Sequence, residues 1–310
     1  MSPTAFLFAT LVRATPLLLV GLAVAIAFRA RVLNIGAEGQ LLAGASAAVA
    51  VGLACATWPG VLLVTAELAA GVAAGALWAG IAAVLRERFG VLEVISTLML
   101  NFVAQYGVSY LVRGPLQEPS RVYPQSISLP AAARLPALVS GQQVHVGLLF
   151  AIGLALALSW ALRSTAIGFR VRAVGASATA AASAGRVRVG RVVFGVFLLS
   201  GALAGLSGAI EATGNTFALY EGMSPGFGYT AIAIALLARL DPLAVIASSL
   251  FFGALEVGAA ALKRDAGVPS ELAGVIEALI VLSLLAVQRS REVALTRRAA
   301  ADRSSALGAG

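Results

Sequence analysis

The stretch Arg31-Val-Leu-Asn-Ile-Gly-Ala-Glu-Gly-Gln40 breaks an otherwise apolar sequence. Apolar residues run from Pro16 to Phe28 before it and from Leu41 to Ala56 after it. Neither arm reaches the roughly 20 apolar residues that a helix needs to cross a hydrocarbon core. Polar backbone at membrane depth is tolerated only where protein buries it or where it lines a cavity. Transporters build substrate sites from helices interrupted in this way. The break therefore points to a membrane bundle with a transport pathway rather than to a stack of simple spans.

Composition agrees. The 310 residues are 60% hydrophobic and 12% charged, with a mean hydropathy of +0.94. A soluble domain needs far more surface charge than that. The strand-length alternation of a barrel is absent. The 33 glycines suit close helix–helix approach. The fold class expected is an all-α polytopic membrane protein, an inverted-repeat transporter bundle with broken helices. The apolar segments are nine: about 5–28, 38–57, 61–85, 91–113, 143–162, 191–210, 226–239, 242–262 and 271–288. The second and seventh are short enough to be half-helices.

A net charge of +8 is not a nucleic-acid signal here, because the basic residues sit in short loops and the tail. They set orientation instead. Sixteen arginines fall on one side of the predicted topology and five basic residues on the other, which predicts an outside N-terminus and an inside C-terminus. The start, Met1-Ser-Pro-Thr4, lacks a basic leader and predicts no cleavable signal. One cysteine, Cys55, and one histidine, His145, exclude an internal disulfide and a multi-histidine metal site.

The two halves echo each other. Arg88-Phe-Gly-Val-Leu-Glu-Val-Ile95 is similar to Asp265-Ala-Gly-Val-Pro-Ser-Glu-Leu272, and Trp58-Pro59 to Asp241-Pro242. An odd number of crossings between the matched pairs inverts the second copy, as in transporters built from inverted repeats. The expected organisation is a permease domain over 1–288, with a first repeat at about 5–113 and a second at about 191–288. A basic cytoplasmic tail follows at 289–310. Two loops are long. Residues 114–142 carry five prolines and predict an irregular outer lid or docking surface. Residues 163–190 carry Arg163, Arg170, Arg172, Arg186 and Arg188 with no acid, and their small-residue run 175–184 predicts a short helix on the inner face.

Candidate site residues follow from polarity at membrane depth. Asn34, Gly36, Glu38 and Gln40 form either a gate or substrate-path element, or a loop fixed by pairing Glu38 with Arg29 or Arg31. Glu93, Thr97, Asn101 and Gln105 recur every four residues and share one helix face. That stripe lines a pathway or bonds neighbouring helices. Phe217, Tyr220, Phe227 and Tyr229 are placed either to stack on a planar ligand or to form an interfacial belt. Glu67, Glu256 and Glu277 are intramembrane acids without a basic partner in sequence, and a proton-driven carrier could use them. No Gly-x-x-x-x-Gly-Lys-Ser/Thr is present, so the chain carries no such phosphate loop. No Ser/His/Asp constellation is available, and the chain is expected not to be an enzyme.

Asn34-Ile-Gly-Ala-Glu-Gly-Gln40 resembles the hallmark of ABC-transporter permeases for nucleosides and simple sugars, relatives of the branched-chain amino acid and ribose permeases. Ala14-Thr-Pro-Leu17 is similar to the opening helix of that family, and Glu93-Val-Ile-Ser-Thr-Leu-Met-Leu-Asn101 to a second motif. Leu199-Ser-Gly-Ala-Leu-Ala-Gly-Leu-Ser-Gly208 and Gly226-Phe-Gly-Tyr-Thr-Ala-Ile-Ala-Ile-Ala-Leu-Leu237 match its second half. Gly168-Phe and Arg172-Ala-Val-Gly175 resemble its cytoplasmic loop, although Ser177-Ala178 stands where the family commonly has Asn-Pro. Family members also carry a span ahead of the Ala14-Thr-Pro-Leu helix.

The resemblance implies a non-catalytic permease subunit in a bacterial inner membrane, importing nucleosides or else simple sugars. Implied partners are a second, related permease, a cytoplasmic ATP-binding protein and an extracytoplasmic substrate-binding lipoprotein. No cofactor is implied for this chain, since ATP is bound by the partner subunit. Gly168, Arg172, Gly175, Ala180 and Ala181 are the expected ATPase-coupling residues.

Overall fold

A computed structural model of the chain describes residues 2–139, 141–183 and 187–266, with isolated positions between 274 and 286. The described residues contain ten α-helices and no extended strand. They are α1 (Pro3–Arg29), α2 (Ala37–Ala54), α3 (Gly60–Phe89), α4 (Glu93–Arg113), α5 (Gly147–Ser164), α6 (Ala166–Ala176), α7 (Ala178–Ser183), α8 (Val189–Glu211), α9 (Phe227–Leu237) and α10 (Pro242–Ala266). Seven are long and apolar enough to span a bilayer, namely α1 to α5, α8 and α10. At 11 residues, α9 is about 16 Å long and reaches only half-way across. The expected ninth segment, 271–288, lies largely outside the described residues, as do Glu277, the tail and most of the second repeat motif. Met1–Gly258 forms one compact unit and Ala259–Gly310 another, and both broken-helix regions belong to the first.

Local sequence explains the helix ends. Ser2 caps α1, accepting from Ala5 N–H at 3.3 Å, and Pro3 opens the helix where no backbone donor is needed. Pro16 interrupts the ladder inside α1. The Thr15 hydroxyl donates to Leu11 O at 2.9 Å, and Ser207 reaches across from α8 to Pro16 O at 3.0 Å. Such side chains let a proline persist at membrane depth. Gly90 stops α3 in the left-handed conformation (φ 66°), where a Cβ would be strained. Pro59 precedes α3 and Pro242 opens α10 in the same way.

The core is built around α1 and the packing of α8 against α2 and α3. The polypeptide backbones of these last three nearly touch. A Cβ on Gly75 would sit 2.6 Å from Gly205 Cα, and a Cβ on Gly71 only 2.5 Å from Ala209 Cβ. Lipid supplies little hydrophobic drive for association, so close backbone contact is what holds such helices together. Helices α1 and α8 run antiparallel in a register fixed by two bonds, Ser200 Oγ to Ala23 O at 2.7 Å and Ser207 Oγ to Pro16 O.

The loop from 114 to 146 is irregular, as its prolines predict, with a single 3-10 turn at Ala131–Ala133. It is well packed nonetheless. Leu129, Ala133, Ser126 and His145 are buried. Its backbone is bonded to the segment after α8, through Leu135 N to Thr213 O (3.0 Å), Leu129 N to Phe217 O (2.7 Å) and Ser126 N to Leu219 O (2.7 Å). Arg113 clamps the far end of that segment with a two-pronged pair to Glu221 (2.7 and 2.8 Å). The guanidinium and the Ser109 hydroxyl hold the Glu221 carboxyl down at about 2.

Candidate functional site

Two broken helices start at the same place. At one, the turn after α1 leads into Asn34–Gly36 and then α2. At the other, the loop after α8 leads into α9. Gly36 and Gly226 occupy the N-cap position of the two helices, and neither offers a side-chain cap. The free first-turn N–H groups must find acceptors elsewhere. Glu38, second residue of α2, supplies one to its neighbour. Its Oε2 accepts from the N–H of Gly228, second residue of α9, at 2.7 Å, and the Ser224 side chain bonds the same carboxyl group. Gly228 allows this approach, because a Cβ there would lie 2.6 Å from Glu38 Cα.

From that junction α2, long enough to span, and the short α9 run in opposite directions. Gly52, near the end of α2, packs by Leu129 of the 114–146 loop. The turn after α9 lies by the other end of α1, where Leu240 O accepts from Arg29 at 2.9 Å. Two positive helix ends thus converge on one buried carboxyl group, the arrangement with which transporters surround a site near the midplane.

The remaining motif residues form a closed network. Asn34 and Gln40 bond each other twice, at 3.0 Å both ways. Asn34 also donates to Ser200 of α8 (2.9 Å) and accepts from Gly36 N–H (3.0 Å). Thr97 accepts from Ile35 N–H at 3.3 Å, and Asn101 accepts from Gly39 N–H at 2.8 Å. Asn101 donates to Ile35 O (3.0 Å) and to the Tyr229 hydroxyl (3.3 Å). Glu93 accepts from Leu33 N–H at 2.9 Å and pairs with Arg86. Asn34, Glu38, Gln40, Thr97 and Asn101 are all at most 1% exposed. Asn34, Thr97, Asn101 and Glu93 bond the backbone of the break, Gln40 holds Asn34, and Glu38 reaches α9. The cluster acts as a bracket that fixes the shape of the interruption.

Glu38 therefore pairs with neither Arg29 nor Arg31, and the Glu93–Thr97–Asn101 stripe bonds neighbouring backbone. Tyr229 joins the bracket and is 40% exposed, whereas Phe227 is buried with the Arg13 guanidinium 5.9 Å from its ring centre. Phe217 packs under Arg134, 4.5 Å away. Ser200, Ser224 and Gly228 complete the bracket without any local sequence signal, since they meet the motif from far along the chain. Arg13 and Glu211 do carry a signal of their own, each being a lone charge within or at the edge of an apolar run.

The cytoplasmic-loop candidates sit elsewhere. α6 starts from a Thr165 cap (3.1 Å to Gly168 N–H). Gly168 lies against the end of α5, where a Cβ would meet Leu162 Cα at 2.5 Å, and Arg172 donates to Leu162 O. Gly175 abuts the backbone at Arg29. The expected small-residue helix is α7, on which Ala181 is buried and Ala180 exposed. Of the intramembrane acids, Glu256 makes interactions of its own. Glu67 is fully buried by Gly52 and Leu129, with no hydrogen bond to either carboxyl oxygen among the described residues. Those residues hold no cluster of metal-ligating side chains.

Comparison with known proteins agrees with this architecture. A glucose ABC transporter permease of Haloferax volcanii is 43% identical over 89% of this chain and 74% of its own. A guanosine ABC transporter permease of Bacillus subtilis is 36% identical over 88% and 79%. A nucleoside ABC transporter permease of Lactococcus lactis is 29% identical over 94% and 82%. No solved structure matches. The model of the family described as branched-chain amino acid transport system, permease component, matches residues 6–285. With nearly the whole bundle inside that match, this multi-pass membrane chain belongs to that permease family and is an ABC-transporter permease of the nucleoside and sugar type.

Proposed function

We propose that this chain is the translocating subunit of an ATP-driven importer of nucleosides. The observation that carries the transport reading is the convergence of α2 and α9 on Glu38, two broken helices starting at one buried carboxyl group. Two of the three relatives described are permeases for guanosine or nucleosides, which favours nucleosides as cargo. The glucose permease relative keeps simple sugars as the second reading.

In this reading the N-terminus faces outward and the C-terminus inward, so that the 114–146 loop covers the outer end. A substrate-binding lipoprotein delivers cargo there. A second, related permease completes the pathway. A separate ATPase, which alone binds ATP, docks on α6 and α7. α6 leans on the inner ends of α5 and α1 and α7 packs on α6, so a push on α7 passes through α6 to the helix that packs against both α8 and α9. Nucleotide binding drives the change only through its different affinity for the two states.

The test is uptake by the reconstituted transporter against nucleosides, pentoses, glucose and branched-chain amino acids, with and without ATP. ATP-dependent uptake confined to nucleosides is expected. Uptake of sugars alone would move the chain to the second reading, and uptake that an uncoupler abolishes at constant ATP would overturn the mechanism.

A further inference from the structure

The bracket uses its polar groups on itself. A second polar cluster does not. Arg13 sits in α1, sixteen residues before Arg29 and so about 24 Å from that end along the helix. It lies away from the Arg29 end, towards the 114–146 loop, which bonds the segment following Glu211. The α1–α8 register, Ala23 by Ser200 and Pro16 by Ser207, brings Arg13 opposite the end of α8, where Glu211 stands. The two charges attract each other through space, and the Tyr220 phenol lies in the field of both.

Their hydrogen-bonding capacity is unspent. Arg13 and Glu211 form no direct ion pair, and no acceptor among the described residues takes an N–H of Arg13. Its one close partner is the face of Phe227, 5.9 Å away. Glu211 is 2% exposed and receives one bond, from Asn215 Nδ2 at 2.6 Å. Its second oxygen accepts no hydrogen bond among the described residues. Charged groups at this depth normally pair or face a water-filled cavity. The chain here also leaves the α-helical path, through a π turn at Ala212–Thr216 ending in left-handed Phe217 (φ 54°). Such bulges cluster at functional positions.

From this juxtaposition we infer that Arg13 and Glu211, flanked by Asn215, Tyr220 and Phe227, form a substrate-recognition site at the outer mouth of the permease, shaped for a guanine-type nucleoside. The inference rests on the nucleoside reading above. Arg13 offers adjacent N–H donors, which match the O6 and N7 acceptors of guanine. Glu211 offers an acceptor for the ring N–H and amino group of the same base. Tyr220 supplies aromatic surface, while buried Phe227 backs the Arg13 guanidinium. Adenine puts an amino group where guanine has O6 and lacks a protonated N1, so it meets the guanidinium donor to donor.

The test uses the full chain in lipid nanodiscs. Binding of radiolabelled guanosine, adenosine and glucose is measured at equilibrium, beside the unfolding midpoint without ligand. Wild type is expected to prefer guanosine. Arg13→Lys keeps the charge and loses the fork, and Glu211→Gln keeps the Asn215 contact and loses the charge. Each is expected to weaken guanosine binding by at least about tenfold at a near wild-type midpoint. Wild-type affinity in Arg13→Lys would overturn the site. So would a loss of binding matched by collapse of the midpoint in both variants. Uptake by the assembled transporter separates the two levels. Guanosine uptake with no binding to this chain overturns the site alone, whereas ATP-driven uptake of glucose without guanosine overturns the nucleoside reading beneath it.

Discussion

Replacing Glu38 by alanine isolates the joint between the broken helices. The change orphans the Gly228 N–H, now bonded at 2.7 Å, and removes the partner of Ser224. A buried donor left without an acceptor costs about 1–3 kcal/mol. Losing a negative charge beside two helix N-termini adds roughly 0.3–1 kcal/mol for each. The expected destabilisation of Glu38→Ala is therefore about 2–5 kcal/mol. Glu38→Gln keeps an acceptor for Gly228 and loses only the charge, at about 1 kcal/mol. The assay is the unfolding midpoint of the full chain in nanodiscs, paired with nucleoside uptake by the reconstituted transporter. Both should fall in the order wild type, glutamine, alanine. An alanine variant with wild-type midpoint and uptake would refute the bracket. A glutamine variant with a wild-type midpoint and no uptake would show instead that the carboxylate meets the cargo directly.

Other substitutions probe the frame around that joint. Gly228→Ala forces a Cβ to within 2.6 Å of Glu38 Cα and should separate α9 from α2, lowering the midpoint and uptake together. Gly75→Val overpacks the crossing with Gly205 and should cost about 1–3 kcal/mol or more, read as loss of folded protein on size-exclusion chromatography. Ala180→Trp should abolish co-purification of the ATPase while leaving the midpoint unchanged, because Ala180 is exposed; Ala181→Trp should lower the midpoint as well, because Ala181 is buried. Burial pushes the His145 imidazole down to about 4 from 6.5, so it stays neutral in the packed loop. As pH falls from 6.5 towards 4, only an opened loop gains that proton, and closure should weaken by up to about 3 kcal/mol. Hydrogen exchange of residues 114–146 at pH 7.5 and 5 measures this, and His145→Gln should flatten the response.

The spans were legible because each is a long apolar run, and an α-helix is the form that satisfies its own backbone in lipid. The breaks were legible for the complementary reason, since Asn34–Gln40 puts polar residues where an unbroken span would have none. Their purpose was not. Asn34 is completed by Ser200, and Glu38 by Gly228, and nothing in a local window foretells a partner 166 or 190 residues away. The four-residue spacing of Glu93, Thr97 and Asn101 located a face but could not tell a pathway lining from a bond to the backbone. Arg13 is hard to see in the sequence because one charge hardly alters the hydropathy of the segment at 5–28. Its partner Glu211 falls one residue beyond the segment drawn at 191–210.

Glu38 and Gly228 hold the same place, second in their helices after a glycine cap. If the two halves arose by duplicating one ancestral gene, the original product carried the same residue at both places. Two glutamates would then have faced each other across the junction, each repelling the other in a medium that does not solvate them. Two glycines would have left both helix starts uncapped. Only unlike residues close the joint as it stands here, a glutamate on one helix and a bare backbone N–H on the other.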